Sequence, residues 1–339
     1  MKKIILPLLV LFMALCTHAQ QQPHYTQYLL NQYIINPALT GIENYTDIRF
    51  SHRHQWVGIE DAPVTSYFTI HTALGKKDYR TTATSFSLEG ENPRGKNYWQ
   101  DYTAAPAHHG IGLQVINDRT GPLSNFSAFA TYAYHIGISP RTSLSAGFGV
   151  GFSRTSLDAS RLDIYKTSVD PAVYSGGIIN KLRPDLNAGL YLYSADYFIG
   201  VSAKQIIPQK LDFSKNAVKQ ESGKEIPHLF ATAGYRFLAG EDFNITPSVM
   251  VKYLPHLPTQ LDINAKLQFR NLAWMGGGYR IGDGFNGMVG LNISNTVNAS
   301  YSYDYTTSDL SNFSRGTHEI MIGFTLGNRY DDSCPRNVW

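Results

Sequence analysis

Seven charged residues in the second half of the chain fall on one side of an alternating pattern, and they are the first candidates for chemistry. If the alternation is that of β-strands, all seven side chains point the same way. Such a set could be a catalytic cluster, a channel lining or a group of buried ion pairs. Cations and anions are comparable in number, which favours mutual pairing over catalysis. The residues are Arg236, Lys252, Asp262, Lys266, Arg280, Asp304 and Glu319.

Other candidate sites lack the partners that their chemistry requires. The pairs His52/His54 and His108/His109 have no Cys, Asp or Glu at metal-ligand spacing. The glycine-rich stretch 276–284 lacks the Gly-Lys-Ser/Thr ending and the following helix of a phosphate loop. No nucleophile stands beside a base. The sequence therefore predicts no catalytic residue, no cofactor and no metal, so that we expect a protein that is not an enzyme.

The elements that carry these residues are strands with two different faces. In the stretch RTSLSAGFGVGFSRT, from Arg141 to Thr155, apolar residues from Leu144 to Phe152 alternate with Ser and Gly. This period of two is typical of a β-strand. The apolar face would meet the core of a soluble sandwich or the lipid around an outer-membrane barrel.

The same alternation recurs along the chain, in runs of about ten residues, as outer-membrane strands require. Fourteen runs are predicted, at about 46–55, 63–74, 109–117, 124–137, 141–155, 184–193, 196–204, 228–239, 242–253, 260–270, 272–281, 284–294, 298–306 and 318–326.

The connections favour a barrel over a sandwich. Short turns near residues 139–140, 194–195, 240–241, 271 and 295 would all lie at one end, whereas long polar connections at 156–183, 205–227 and 306–316 would lie at the other. Bacterial barrels have short periplasmic turns, long outer loops and aromatic residues at both membrane interfaces. Aromatic residues fall near both ends of these strands. They are Phe126, Tyr253, Tyr279, Phe285 and Tyr305 at the outer end, with Tyr134, Phe237, Phe243 and Phe269 at the inner end.

Composition and the N-terminus agree with export. Charged residues make up 16% of the chain and the net charge is +3, with no long basic run, so nucleic acid is not an expected partner. Residues 1–19 read as a signal peptide cleaved after Ala19. Cys16 raises a lipoprotein alternative, but Leu15 stands where a small residue is wanted. The mature chain would keep Cys334 alone and could form no internal disulfide.

The predicted architecture is therefore an all-β protein, a single transmembrane antiparallel barrel of about 14 strands over residues 20–339. An N-terminal periplasmic segment (20–45), an insertion (76–108) and a short C-terminal tail (327–339) accompany the barrel. If the flanks of Asn92–Gly95 paired as a hairpin, the barrel would have sixteen strands. Their weak apolar face favours the insertion.

Several motifs resemble the PorP/SprF family, outer-membrane proteins of the Bacteroidetes type IX secretion and gliding machinery. The mature start YTQYLLNQYIINPALTGIENY is similar to the family's opening, and RHQWVGIEDAPVTSYFTIHTAL, YSYDYTTSDLSNFSRGTHEI and a terminal CPR follow in the family's order. The 76–108 segment departs from the family by its length. The residues that carry the resemblance are Asn36, Pro37, Arg53, Gln55, Trp56, Gly58, Tyr303, Asp304, His318 and Glu319.

The predicted barrel places the protein in the outer membrane with both termini in the periplasm, and the resemblance implies a non-enzymatic role in protein secretion. It also implies partners: some family members associate with the periplasmic lipoprotein ring and motor, and others support export or surface attachment of a particular secreted adhesin. A pore for a small or hydrophobic solute is the alternative, favoured by the inward row Asp262, Asn264, Lys266 and Gln268. An outer-membrane hydrolase would need a nucleophile that the sequence does not offer.

Overall fold

A computed structural model describes residues 25–76, 104–158, 178–208, 210–211, 223–224, 226–240, 242–255, 257–270, 272–294 and 296–327. Within these residues fourteen antiparallel strands form a closed barrel. The strands are β1 (Thr46–His54), β2 (Val64–Leu74), β3 (His108–Thr120), β4 (Leu123–Ser139), β5 (Thr142–Asp158), β6 (Ile178–Tyr193), β7 (Tyr197–Lys204), β8 (His228–Tyr235, continued by Phe237–Ala239), β9 (Phe243–Tyr253), β10 (Gln260–Phe269), β11 (Ala273–Arg280), β12 (Gly284–Asn292), β13 (Val297–Thr306) and β14 (Thr317–Leu326).

Each strand pairs with its neighbours in sequence, and β1 pairs with β14 to close the barrel, Thr46 opposite Leu326. Strand β8 is interrupted at Arg236, but both of its parts pair with β9. Closure leaves the fourteen described strands of the barrel without an unpaired edge. Outside the barrel, Lys210–Leu211 and Gly223–Lys224 pair as a separate two-stranded sheet. The predicted single barrel of 14 strands is confirmed. Strands β3, β5 and β6 extend farther toward the loop end than the alternation predicted, because these extensions lack a regular apolar face, whereas β4 extends mainly at its other end, to Ser139.

The two faces of the strands differ as the alternation predicted. On β5, Ser145 is fully buried whereas Val150 is 52% exposed. The small and polar set therefore faces the lumen, and the apolar set faces outward, where lipid would cover it. Aromatic side chains pair across neighbouring strands near both ends of the wall, as Phe243 does with Phe269 and Tyr279 with Phe285.

The two ends of the barrel are distinguished by their connections. We call the end that carries the turns 139–142, 193–197, 239–243, 269–273 and 292–297 the turn end. The opposite end, with the connections 54–64, 158–178, 204–228 and 306–317, is the loop end. The loop end also holds tight turns, such as the one at Gly121 and Pro122 between β3 and β4. By the rule for bacterial barrels, the turn end is the predicted periplasmic end.

Residues 25–45 lie inside the barrel and form three short 3-10 turns, Thr26–Leu29, Gln32–Ile34 and Pro37–Leu39. We call this stretch the lumen segment. Its side chains pack in two clusters against inward-facing side chains of the wall, such as Tyr67 on β2 and Tyr191 on β6. A periplasmic position was expected for residues 20–45, and their contact with the barrel interior was not predicted.

Several predicted features lie outside the described residues. These are the signal peptide at 1–19, the greater part of the insertion (77–103), and the tail after Gly327 with Cys334. Residues 159–177 of the predicted loop 156–183 and residues 212–222 of the predicted loop 205–227 also lie outside. They remain predictions.

No helix in the described part of the chain has the length and hydropathy needed to cross a bilayer.

Candidate functional site

The lumen segment runs along the barrel from the loop end to the turn end. Near the loop end, the main-chain N–H of Thr26 donates to Glu319 Oε2 at 3.0 Å. Halfway along, the Tyr33 hydroxyl lies 2.5 Å from the Thr131 hydroxyl of β4. Near the turn end, His135 of β4 contacts the Thr40 carbonyl at 2.8 Å. The segment then leads into β1 at Thr46.

A network of buried charges holds the loop-end part of the segment. The Arg53 guanidinium donates to Asp304 at 2.7 Å and to Glu319 at 3.1 Å. It also donates to the Thr26 hydroxyl at 2.8 Å, and that hydroxyl donates to Asp304 at 2.6 Å. Glu319 is fully buried and accepts further hydrogen bonds from Ser51 and from the segment. Each carboxylate is therefore paired and hydrogen-bonded, as a buried charge requires.

The seven charged residues of the predicted lumen cluster are all buried, but they are not one contiguous group. Arg280 donates to Asp262 at 3.1 Å and lies 3.9 Å from Asp304, which Arg53 then links to Glu319. These residues lie near the loop end, and Lys252 is close to the same end of β9. Arg236 and Lys266 lie toward the turn end.

The centre of the network was not predicted as part of the charge cluster. Arg53 was selected only through the family resemblance. Its inward direction nevertheless follows from the period of two along β1, because it shares a face with Asp47, Arg49 and Ser51, which are all buried or half-buried. Thr26 could not have been found by alternation because it lies in a 3-10 turn, not in a strand.

The residues that carry the family resemblance fall into three places. Asn36 and Pro37 belong to the lumen segment, where the Asn36 side chain accepts from the Ala38 N–H at 2.9 Å and donates to the Leu190 carbonyl at 3.1 Å. Arg53, Asp304 and Glu319 form the charge network described above. The other five lie at the loop end and are Gln55, Trp56, Gly58, Tyr303 and His318.

This last group shapes a firm surface at the loop end. Trp56 has φ of 45° and Gly58 has φ of 105°, the first an uncommon value for a bulky residue. The loop they form is joined to the connection before β14, since the Val57 N–H donates to the Gly316 carbonyl at 2.9 Å and the Arg315 N–H donates back at 2.7 Å. Backbone in such conformations persists only where its surroundings hold it.

The candidate chemical motifs occupy structural positions. His52 contacts Ser66 at 2.9 Å on the outer face, and the His108 ring stacks on His135 at 4.5 Å. No group of three or more potential metal ligands occurs among the described residues. The glycine-rich stretch forms β11 and its turn into β12. What the interior arrangement does chemically is bind a segment of polypeptide.

Several solved structures are similar to the chain over most of its length. The toluene transporter TbuX of Ralstonia pickettii matches with a TM-score of 0.48 and 8% identity, over 88% of this chain and 93% of that one. The toluene transporter TodX of Pseudomonas putida gives 0.45 and 8%, over 91% and 95%. Omp33 of Acinetobacter baumannii gives 0.43 and 9%, over 85% and 99%. Similarity at this level does not indicate what the present chain binds.

No curated protein sequence matches the chain. The family model of the type IX secretion system membrane protein PorP/SprF, in contrast, matches residues 17–324, nearly the whole length. Neither this family nor the barrel is of an enzymatic kind. An outer-membrane barrel with these motifs in order thus confirms the resemblance seen in the sequence: the chain belongs to the PorP/SprF family of type IX secretion system membrane proteins.

Proposed function

We propose that this outer-membrane component of the type IX secretion system is a scaffold that supports export or surface attachment of a secreted adhesin-type protein. The observation that carries the proposal is the filled interior. Tyr28, Tyr33, Ile34 and Ala38 of the lumen segment are each at most 2% exposed inside the barrel. A solute pore requires a solvated passage lined by groups free to meet the solute. Asn264 belongs to the inward row that suggested a pore, but its amide donates to the Tyr28 hydroxyl of the lumen segment at 2.6 Å and so does not face a solvated passage.

A scaffold also needs surfaces that a protein can contact. The loop end supports this requirement, because the firm loop around Trp56 stands beside the connection that presents Phe313, which is 74% exposed. Leu310 of the same connection is also exposed, and neighbouring exposed apolar side chains are typical of protein-binding surfaces. We assign the secreted partner to this end, where the loops 156–183 and 205–227 also begin and end. We assign the periplasmic lipoprotein ring and motor to the turn end.

The proposal is tested by measuring adhesins at the cell surface. Two changes at the loop end, deletion of residues 209–222 and the substitution Phe313→Asp, should reduce surface labelling of a secreted adhesin at least fivefold. The barrel should stay folded after the deletion, because changing the length of a surface loop alters closure entropy only slowly. It should stay folded in Phe313→Asp because that side chain is largely exposed. Thr296→Asp adds the same charge at an exposed site of the turn end and is the matched control.

Heat-modifiable gel mobility reports barrel folding in all variants, and planar-bilayer conductance tests the alternative function. The scaffold is supported if display falls with both loop-end changes, stays normal in Thr296→Asp, and the wild-type barrel is electrically silent. Unchanged display together with steady wild-type conductance or lost uptake of a solute would replace the scaffold with a pore.

A further inference from the structure

We propose that the barrel interior is a binding site for polypeptide that recognises mainly the peptide backbone, and that residues 25–45 are a replaceable ligand of this site. A second peptide of similar shape would bind when the lumen segment is displaced. This inference concerns the interior and does not depend on the scaffold function proposed above.

The hydrogen bonds of the segment's carbonyl groups are divided between the segment itself and the barrel. Between Tyr33 and Ile42, the carbonyls of Asn36, Pro37 and Leu39 accept from N–H groups within the segment. Six other carbonyls are contacted by side chains of the wall or, in the case of Lys76, of the connection after β2. These contacts are Gln114 to Tyr33 (2.5 Å), Lys204 to Ile34 (2.9 Å), Ser202 to Ile35 (2.7 Å), Ser145 to Ala38 (2.5 Å), His135 to Thr40 (2.8 Å) and Lys76 to Ile42 (2.5 Å).

These six contacts place donors where main-chain carbonyls need them. A carbonyl oxygen only accepts, so the His135 Nε2 must carry its proton toward Thr40, which leaves Nδ1 to accept from the Tyr193 hydroxyl at 3.1 Å. Buried carbonyls without partners would cost free energy. Because every residue has a carbonyl, a set of donors aimed at carbonyls can bind peptides of different sequence.

Glycines in the wall open the path along which the segment runs. A Cβ atom on Gly147 of β5 would lie 2.5 Å from the Pro37 carbonyl oxygen and 2.6 Å from the Ala38 Cα. A Cβ atom on Gly110 of β3 would collide with the Thr40 carbonyl. No side chain fits where backbone approaches this closely, which is a known use of glycine in strands. The wall therefore accommodates a backbone, and requires a small residue at the position of Ala38.

The segment is not part of the sheet that holds the barrel together. Strand β1 pairs directly with β14, and the remaining strands pair with one another, so that the closed ladder is complete without residues 25–45. The segment is attached through side chains of the wall and through its connection to β1. It can therefore leave the wall without breaking a strand pairing, and this makes it a ligand in the thermodynamic sense.

The test displaces the segment in the full-length protein and supplies it again as a peptide. Ala38 is fully buried against Gly147, so Ala38→Trp should displace the lumen segment and leave the wall unchanged. A fluorescent synthetic peptide with the sequence of residues 25–45 is then titrated into the variant in detergent, and binding is followed by anisotropy. We expect saturable one-to-one binding, at least tenfold tighter than to the wild type, whose site is occupied.

The matched control is the same peptide carrying Ala38→Trp, which should bind at least tenfold more weakly than the wild-type peptide. Asn36→Ala is a second full-length variant, because it removes the side-chain bonds to Leu190 and Val201 without adding bulk. Equal binding of both peptides, or binding to neither folded variant, would overturn the inference. Adhesin display is measured separately, so a failure here leaves the scaffold function untouched.

Discussion

Removing the Arg53 side chain should destabilise the protein through the carboxylates that it leaves behind. Arg53 is 2% exposed and is bonded to both Asp304 and Glu319. In Arg53→Met the methionine keeps most of the volume, but two buried carboxylates lose their cation. Breaking a buried pair from one side costs roughly 3–5 kcal/mol. Asp304 keeps a distant contact to Arg280 at 3.9 Å, which offsets a part of this cost.

Neutralising Glu319 as well shows whether the cost comes from the unpaired carboxylate. Replacing a buried ion pair by neutral groups of similar size is often close to neutral in free energy. The double variant Arg53→Met/Glu319→Gln should therefore recover at least about 2 kcal/mol relative to Arg53→Met alone. The free energy of unfolding is obtained from urea titration in detergent, with the folded fraction read from heat-modifiable gel mobility.

A surface ion pair provides the control for the loss of an arginine as such. Arg141 donates to Asp196 at 3.4 Å at the turn end, and its side chain is half exposed. Arg141→Met should change the free energy of unfolding by no more than about 1 kcal/mol. If the double variant is as unstable as Arg53→Met, the cost lies in lost packing, and the account of the charge network is refuted.

Three further predictions follow from the faces of the wall and from the segment. Ile322→Arg on the outer face should destabilise the barrel by roughly 2–4 kcal/mol. The neutral inward change Gln268→Asn should be far milder, because it adds no charge to a side chain that is only 6% exposed; equal gel behaviour would contradict the assignment of faces. Burial and a neighbouring carboxylate raise the pKa of Glu43 from 4.5 to about 8, so the contribution of Glu43 to stability should fall as pH rises between these values, by at most about 1.4 kcal/mol per unit. Glu43→Gln should remove this contribution, so the difference in unfolding free energy between the wild type and the variant should change between pH 5 and pH 8; a constant difference would rule out the predicted role of Glu43. Gly147→Val should displace the lumen segment and produce conductance in a planar bilayer. Gly149→Ala should stay silent, because its new Cβ would meet only side chains and one carbonyl at 3.2 Å or more. Conductance in both variants would show that conductance does not depend on displacement of the segment.

The sequence predicted the barrel because its information is local. A strand of a membrane barrel meets lipid on one side and the interior on the other, so each strand carries a period of two that needs no knowledge of its partners. Val150 and Ser145 illustrate this on a single strand. The turn positions were visible for the same reason. Extension of β5 and β6 beyond the prediction occurs at the loop end, where that contrast between the faces fades.

The interior could be predicted only in part. Alternation identified which charges point inward, but the pairing of Arg53 with Glu319 joins residues separated by 266 positions, and Thr26 is farther still from its partner. No period marks the lumen segment, because 3-10 turns of three or four residues repeat nothing. A usable signal was its composition, since YLLNQYIINPAL is too apolar to remain in water without a partner.

The contacts of the lumen segment also set how often the interior can open. Release would take six carbonyls of the segment away from the side chains that contact them, and each such hydrogen bond contributes about 1 kcal/mol net. Release then depends on a competitor that offers the wall equivalent carbonyls, because water alone leaves the apolar contacts of Ile34 and Tyr33 uncompensated. Polypeptide is such a competitor, and small solutes are not. A filled interior of this kind therefore fits a protein-handling role better than a solute channel, and steady conductance of the wild-type protein without added peptide would contradict it.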